Sequence, residues 1–339
     1  MCLRAFLLPS LNACQPARHA RPLTRLTCPD GTAMVSVRTP TCVTLNLNSQ
    51  PAILRGAFTA RAPKRGIALP WIFILMLIAA GLSLSPLRAH GQSSLHIDDL
   101  TWTEVRDALK AGKTTVIIPV GGTEQSGPHM ALGKHNVRVK VLAERIALAL
   151  GNALVAPVVA YAPAGQVSPP TQHMRFVGTV SIPDDAFKAV VDGAARSFRQ
   201  HGFTDVVLIG DHGGYQSLLN AVATRLNRDW AESTSRVHFI GTYYGTAQTP
   251  YNQALRDRGL TDAQIGTHAG AADTSLMLAT DATRVRRDQL KPARDAAAAK
   301  ALGVSGDPGL SSAELGQIGV DLIVSRSTAA IRQAVARPR

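Results

Sequence analysis

Cysteine is missing from most of this chain. All four (Cys2, Cys14, Cys28 and Cys42) fall in the first 42 of 339 residues. The remainder is thiol-free, which excludes a disulfide framework, a zinc ribbon or a thiol nucleophile there. Acidic residues are equally scarce at that end. Across residues 1–94, ten Arg or Lys face one acid, Asp30, so this stretch carries +9 of the formal +13 and leaves +4 for the rest. A basic excess so confined is no nucleic-acid footprint, and no nucleic-acid partner is expected. No G-x-S-x-G occurs, so Ser275 is not in a nucleophile elbow. Asp211-His-Gly-Gly214 lacks both the G-x-G-x-x-G spacing and the Lys-Ser/Thr of a phosphate loop. There is no internal repeat.

One long apolar run is present, Ile67 to Leu84. Arg61, Lys64 and Arg65 precede it, Pro86 follows it, and Ala89 and Gly91 are small. Basic, apolar, then small residues is the order of a secretory signal, with cleavage expected near Gly91–Gln92. The alternative is an uncleaved anchor, since about 18 apolar residues just span a bilayer. No Cys follows the run, so a lipoprotein is excluded. Residues 1–65 read as a leader or extension, 66–91 as the signal segment and 92–339 as a single domain. The expected location is periplasmic or secreted, with membrane contact only through the signal segment.

Beyond residue 92, apolar β-branched runs alternate with amphipathic periods. The pattern predicts helices over 97–112, 137–150, 183–200 and 216–230, and strands over 114–120, 153–160, 205–210 and 237–244. A helix beginning at His268 and a last one over 328–335 complete it. Strands alternating with helices imply a mostly parallel sheet covered on both faces, an α/β/α sandwich.

Two strand ends carry the chemistry. After the first strand, a loop holding Gly127, Pro128 and Gly133 delivers Glu124, His129 and His135. After the third comes Asp211-His212. Open parallel sheets present side chains at the carboxyl ends of their strands. Glu124, His135 and His212 are therefore the candidate metal ligands, three protein groups that leave a position for water. The competing reading has Glu124 capping a turn and the histidines merely hydrogen-bonded.

Four stretches, in order, resemble the motifs of the creatininase (creatinine amidohydrolase) family. Gly122-Thr-Glu-Gln-Ser-Gly-Pro-His-Met-Ala-Leu-Gly-Lys-His135 is similar to G-S/T-x-E-Q-H-G-P-H-L-P-L-x-T-D. His173-Met-Arg-Phe-Val-Gly-Thr179 is similar to H-x-x-F-P-G-T. Ile209-Gly-Asp-His-Gly-Gly214 is similar to N-G-H-G-G-N, and His268-Ala-Gly-Ala-Ala-Asp-Thr-Ser275 to H-A-G-E-x-E-T-S. The resemblance implies a creatininase-like three-layer fold, usually oligomeric. It also implies a hydrolase that activates water on a divalent ion (zinc, manganese or iron) against a C–N amide bond of a small cyclic or linear amide. Glu124 and His212 stand at metal-ligand positions, and His173, His268 and Asp273 at positions beside the reacting groups.

The departures are specific. Ser126 replaces a His, His135 replaces a bridging Asp, and Ala271 and Asp273 replace two Glu. An imidazole cannot bridge two ions as a carboxylate does, so one ion per chain is expected, on Glu124, His135 and His212. His268 or Asp273 is expected to shuttle the proton. Creatinine itself is poorly matched, because Trp102 and Trp230 are the only tryptophans past the signal segment. The alternative function is a catalytically impaired member acting as a ligand-binding protein.

Overall fold

In a computed structural model, the described residues are 94–292 and 294–336. They fall within the compact unit Pro86–Arg339. The expected leader and signal segment lie outside them. Four strands form one parallel sheet in the order β2-β1-β3-β4: β1 Thr115–Val120, β2 Ala153–Val155, β3 Asp205–Gly210 and β4 Arg236–Phe239. Every residue of β1 and β3 is buried, as the unbroken apolar runs imply for a sheet covered on both faces.

Alternate residues serve the two faces. Ile117, Val207 and Ile209 pack on one side with α2 (Lys134–Leu150), α5 (Thr242–Gln248), α6 (Pro250–Arg256), α8 (Ala271–Asp281) and α10 (Ala313–Val335). Val116, Ile118, Val206 and Leu208 pack on the other with α1 (Trp102–Lys110), α3 (Asp184–Gln200) and α4 (Gln216–Asp229). The short helices α7 (Asp262–Ile265) and α9 (Ala296–Ala301) lie in the late loops. Helix α1 starts on a capping box, Thr101 accepting from the Glu104 amide while Glu104 accepts from the Thr101 amide.

Three elements differ from the sequence expectation. Strand β2 stops at Val155, two residues before Pro157, and pairing resumes only at Val159, which bonds to Pro119 and Gly121. The expected strand over 237–244 ends at Phe239, and Tyr243 and Tyr244 belong to α5. The last helix is 23 residues long and begins at Ala313 rather than 328. Its early turns lack an obvious apolar stripe because small residues do the packing. A Cβ on Gly316 would lie 1.8 Å from the Ser275 carbonyl oxygen, so α8 and α10 meet backbone to backbone. Among the described residues no helix is long and apolar enough to cross a membrane.

Candidate active site

The carboxyl ends of β1 and β3 are fastened together by Tyr215, which is fully buried. Its hydroxyl lies 2.8 Å from the Val120 carbonyl and 2.5 Å from that of Gly121. It also accepts from the Asp211 and His212 amides, each at 3.1 Å. The loop after β1 is tied in turn to α2. Gly122 donates to the Asn136 side chain at 2.8 Å, and a Cβ on Gly121 would collide with that side chain at 2.1 Å. The Glu124 amide donates to Leu132 across the loop, and the Gln125 amide to Thr179. This places Glu124, only 2 % exposed, at the centre of four imidazoles.

His135 Nε2 lies 2.8 Å from Glu124 Oε1, and His212 Nε2 lies 3.1 Å from Oε2. His173 Nε2 and His268 Nδ1 stand 3.7 and 3.9 Å from the same carboxylate. Gln125 orients the last two. Its side-chain nitrogen is 3.0 Å from His173 Nδ1 and 3.1 Å from His268 Nε2, and its side-chain oxygen accepts from the Gly127 amide. His268 Nε2 donates to the Gln125 carbonyl at 3.0 Å, so its approach to the side-chain nitrogen is a contact and not a second hydrogen bond. In both rings one nitrogen is thus held by Gln125 while the other faces Glu124. The backbone beside each ring is in the left-handed region despite a side chain: Gln172 has φ 48° and Ala269 φ 55°. Such conformations cost on the order of 1–2 kcal/mol each and concentrate where geometry is imposed by function.

The histidines divide by charge. Burial, reinforced by the nearby Lys134 ammonium, lowers His268 to about 3. Burial lowers His212 to about 4 and also lowers His173. All three are neutral at pH 7. His135 behaves oppositely. Burial and Lys134 oppose its charge, but Glu124 and Asp211 outweigh them and raise it. Burial raises Glu124, yet the His135 contact and Lys134 overcome it and hold the carboxyl below its ordinary range.

Residues the sequence reading did not single out close the site from below. His135 Nδ1 is 2.6 Å from Asp211 Oδ2, so both of its ring nitrogens are taken by carboxylates. Asp211 also accepts from Arg138 Nε at 2.9 Å and from the Tyr243 hydroxyl at 2.8 Å. Arg138 reaches Asp273 at 2.6 Å, and Lys134 pairs with the other Asp273 oxygen, which also accepts from the Ala269 amide. Burial raises Asp273, but Lys134 and Arg138 outweigh it and hold it well below its usual range. Asp273 is a fixed anion. Arg138 is legible in the sequence only as a helix residue and Lys134 only as part of the loop motif. Their signal was the spacing along α2, Arg138 three residues after His135 and four after Lys134.

The expected site residues are therefore gathered, but in new roles. Glu124 and His212 meet as anticipated. His135, expected as a ligand, stands between two carboxylates with no free nitrogen. His268, expected to shuttle a proton, and His173, expected beside the reacting groups, each turn a nitrogen toward Glu124. One ligand atom from each of Glu124, His173 and His268 lies within 4.8 Å of the others. An ionised carboxylate and two neutral imidazoles fit a single divalent ion. His212 lies outside that triplet: its Nδ1 accepts from the Gly214 amide at 3.1 Å and its Nε2 turns to Glu124 Oε2. Ser126 is fully buried with an unpaired hydroxyl, and His129 turns inward to Thr274 at 3.0 Å.

Two cavities share His173 and His268 as a common wall. One, of about 230 Å³, is lined by Lys134, His212, Tyr244 and Asn252. The other, more open and about 700 Å³, is lined by Arg175, Phe176, Lys300 and Asp307.

Residues 98–331 match the family model described as Creatininase: Creatinine amidohydrolase. The chain is 30 % identical over 121 residues to a 3-dehydro-scyllo-inosose hydrolase of Thermotoga maritima, a match spanning 36 % of this chain and 37 % of that one. It is 29 % identical over 192 residues to a creatinine amidohydrolase of Pseudomonas putida, covering 55 % and 72 %. It is 28 % identical over 224 residues to a mycofactocin precursor peptide peptidase of Mycolicibacterium smegmatis, covering 60 % and 78 %. Among solved structures, a manganese creatininase superposes with TM-score 0.60 at 27 % identity, covering 72 % of this chain and 100 % of that one. A zinc–zinc form of a creatininase mutant gives TM-score 0.60 at 26 % identity, covering 72 % and 99 %. A three-layer sheet that gathers a carboxylate and imidazoles at its strand ends, matched over two-thirds of its length, places this chain in the creatininase family of amidohydrolases acting on C–N bonds.

Proposed function

We propose that this amidohydrolase works with one divalent ion (zinc, manganese or iron) on a linear amide whose two halves lie on either side of His173 and His268. The observation that carries this reading is the convergence of Glu124, His173 and His268 within 4.8 Å, with both imidazoles neutral. When bound, such an ion supplies Lewis acidity toward a carbonyl and lowers the pKa of water. The chain's own residues hold the geometry. Gln125 fixes both rings and so their facing nitrogens. His212 keeps its proton on Nε2, pinned by the Gly214 amide. That N–H is turned to Glu124 Oε2, 3.1 Å away, and so helps fix the carboxylate beside the two ligand rings. Asp273, held ionised by two cations, anchors Lys134 and the Ala269 amide rather than shuttling a proton.

Two cavities meeting at the same two histidines favour a substrate with substituents on both sides of the scissile bond over a compact ring. The peptidase relative agrees with that preference. We further propose export of the chain and assembly into a homo-oligomer, as the apolar run and the family resemblance imply.

Elemental analysis of chelator-free protein tests the site, together with hydrolysis of N-acyl amino-acid amides compared with creatinine. One ion per chain, lost in His173→Ala and His268→Ala with the fold intact, is expected. Full metal content in both variants overturns the ligand set, and faster turnover of creatinine overturns the substrate class.

A further inference from the structure

The buried ions beneath Glu124 form a closed set. Glu124, Asp211 and Asp273 are the anions, and Lys134, His135 and Arg138 the cations. Lys134 is 1 % exposed, Glu124 2 %, His135 4 %, and Asp211 and Arg138 5 % each. Every anion touches at least one cation. Asp211 binds both His135 and Arg138, Asp273 binds both Lys134 and Arg138, and Glu124 binds His135. Three negative charges meet three positive ones without any contribution from outside the chain.

Buried charges persist only when paired and hydrogen-bonded. A solved creatininase mutant of this fold is of a Zn–Zn type. Here the first motif ends Lys134-His135 where the family motif ends Thr-Asp, exchanging a carboxylate for an imidazole and adding an ammonium. The third motif carries Asp211 where the family motif has Gly, returning a carboxylate one strand away. We propose that the Lys134 ammonium, with the His135–Asp211 pair, takes the place of a second divalent ion in this chain, so that the site carries a built-in organic cation beside at most one metal.

Three observations support it independently of the charge count. Lys134 is almost wholly enclosed although it opens helix α2, a position from which a lysine ordinarily reaches water. It lines the smaller cavity together with His135, His173, His212 and His268, which places the ammonium among the site rings rather than at their margin. Asp273, shorter than the Glu of the family motif, is spanned by Lys134 and Arg138 on separate oxygens and so has no oxygen left without a cation.

The inference rests on the single-ion reading above, and the test separates the two. Stripped full-length protein is loaded with Zn²⁺ or Mn²⁺, and ions per chain and melting temperature are measured for wild type, Lys134→Met and Lys134→Arg. Lys134→Met is expected to bind one ion more than wild type and to gain several degrees of thermal stability from excess Mn²⁺ that wild type does not gain. Lys134→Arg is expected to match wild type in both. Should Lys134→Met fail to fold, Lys134→Thr combined with His135→Asp is read in its place, prepared in Mn²⁺. Two ions in wild type, or no extra ion and no extra metal-dependent melting shift in the variants, overturns the proposal. Zero ions in wild type overturns the ligand set of Glu124, His173 and His268 instead, and the difference between variant and wild type still decides the role of Lys134.

Discussion

His135 and Asp211 lie 2.6 Å apart, nitrogen to oxygen, at the ends of different elements and 76 residues apart in sequence. His135 stands where the family motif has an Asp, and Asp211 where it has a Gly. The pair is buried, with side chains 5 % and 4 % exposed, and it links Glu124 to Arg138. Removing one partner leaves the buried set of ions one charge out of balance.

His135→Ala and Asp211→Asn are each expected to destabilise the fold by roughly 3–5 kcal/mol. The double variant should cost less than the sum of the two. Denaturant melts of all four proteins measure the coupling, and strict additivity would show that the two side chains do not act as a pair.

Acid weakens the metal-free protein through His212 and His268. Their folded values, about 4 and about 3, lie below the ordinary 6.5. Between those values the unfolded chain binds more protons than the folded one, so stability is full above pH 6.5 and falls as pH drops toward 4. Raised His135 adds no slope in this window, because it is charged in both states below 6.5. The loss is of order 3 kcal/mol for each ring. Chelator-treated protein melted across pH 4–7 checks it, and a flat profile contradicts it.

Gln172→Gly reverses the usual effect of glycine. The left-handed backbone at φ 48° costs an L-residue more than glycine loses in unfolded-state freedom. Stability is expected to hold or rise by up to about 1 kcal/mol, while affinity for Mn²⁺ falls because His173 is less firmly set. Melting and metal titration on the same sample check both.

Gly316→Ala drives a methyl into the Ser275 carbonyl and pushes α10 off α8. A loss of roughly 1–3 kcal/mol or more is expected. Gly193→Ala, on α3 with nothing within 4 Å of its Cβ, should leave stability unchanged or raise it. Paired melting curves distinguish the two glycines.

Export is checked by sequencing the amino terminus of the secreted protein, expected near Gln92. A chain retaining Trp71 in the membrane fraction contradicts it.

What the sequence made legible was the frame. The buried runs at 115–120 and 205–210 have no other reading, and the loops after them had to carry the chemistry. What it hid was pairing. His135 is a ligand type at a ligand position, and only the distance to Asp211 shows that its second nitrogen is spent. Lys134 stands in the sequence only as one residue of the first motif, and nothing local announces that Asp273, 139 residues later, will enclose it. Tyr243 read as a strand residue by propensity, but its tie to Asp211 belongs to a helix that begins after Gly241. Helix α10 was undercalled for a related reason, since glycine-mediated contact leaves no hydrophobic periodicity to find.

The Tyr215 hydroxyl grips four main-chain groups and no site side chain. The positions of Glu124 and His212 are thus set by the polypeptide itself, whatever those residues happen to be. Such a frame acts as a socket whose contacts can be rewritten. Exchanging Glu124, His173, His212 or His268 alters which ion or substrate is accepted without moving the strand ends, so one scaffold can pass among amide hydrolases of different specificity by a handful of substitutions.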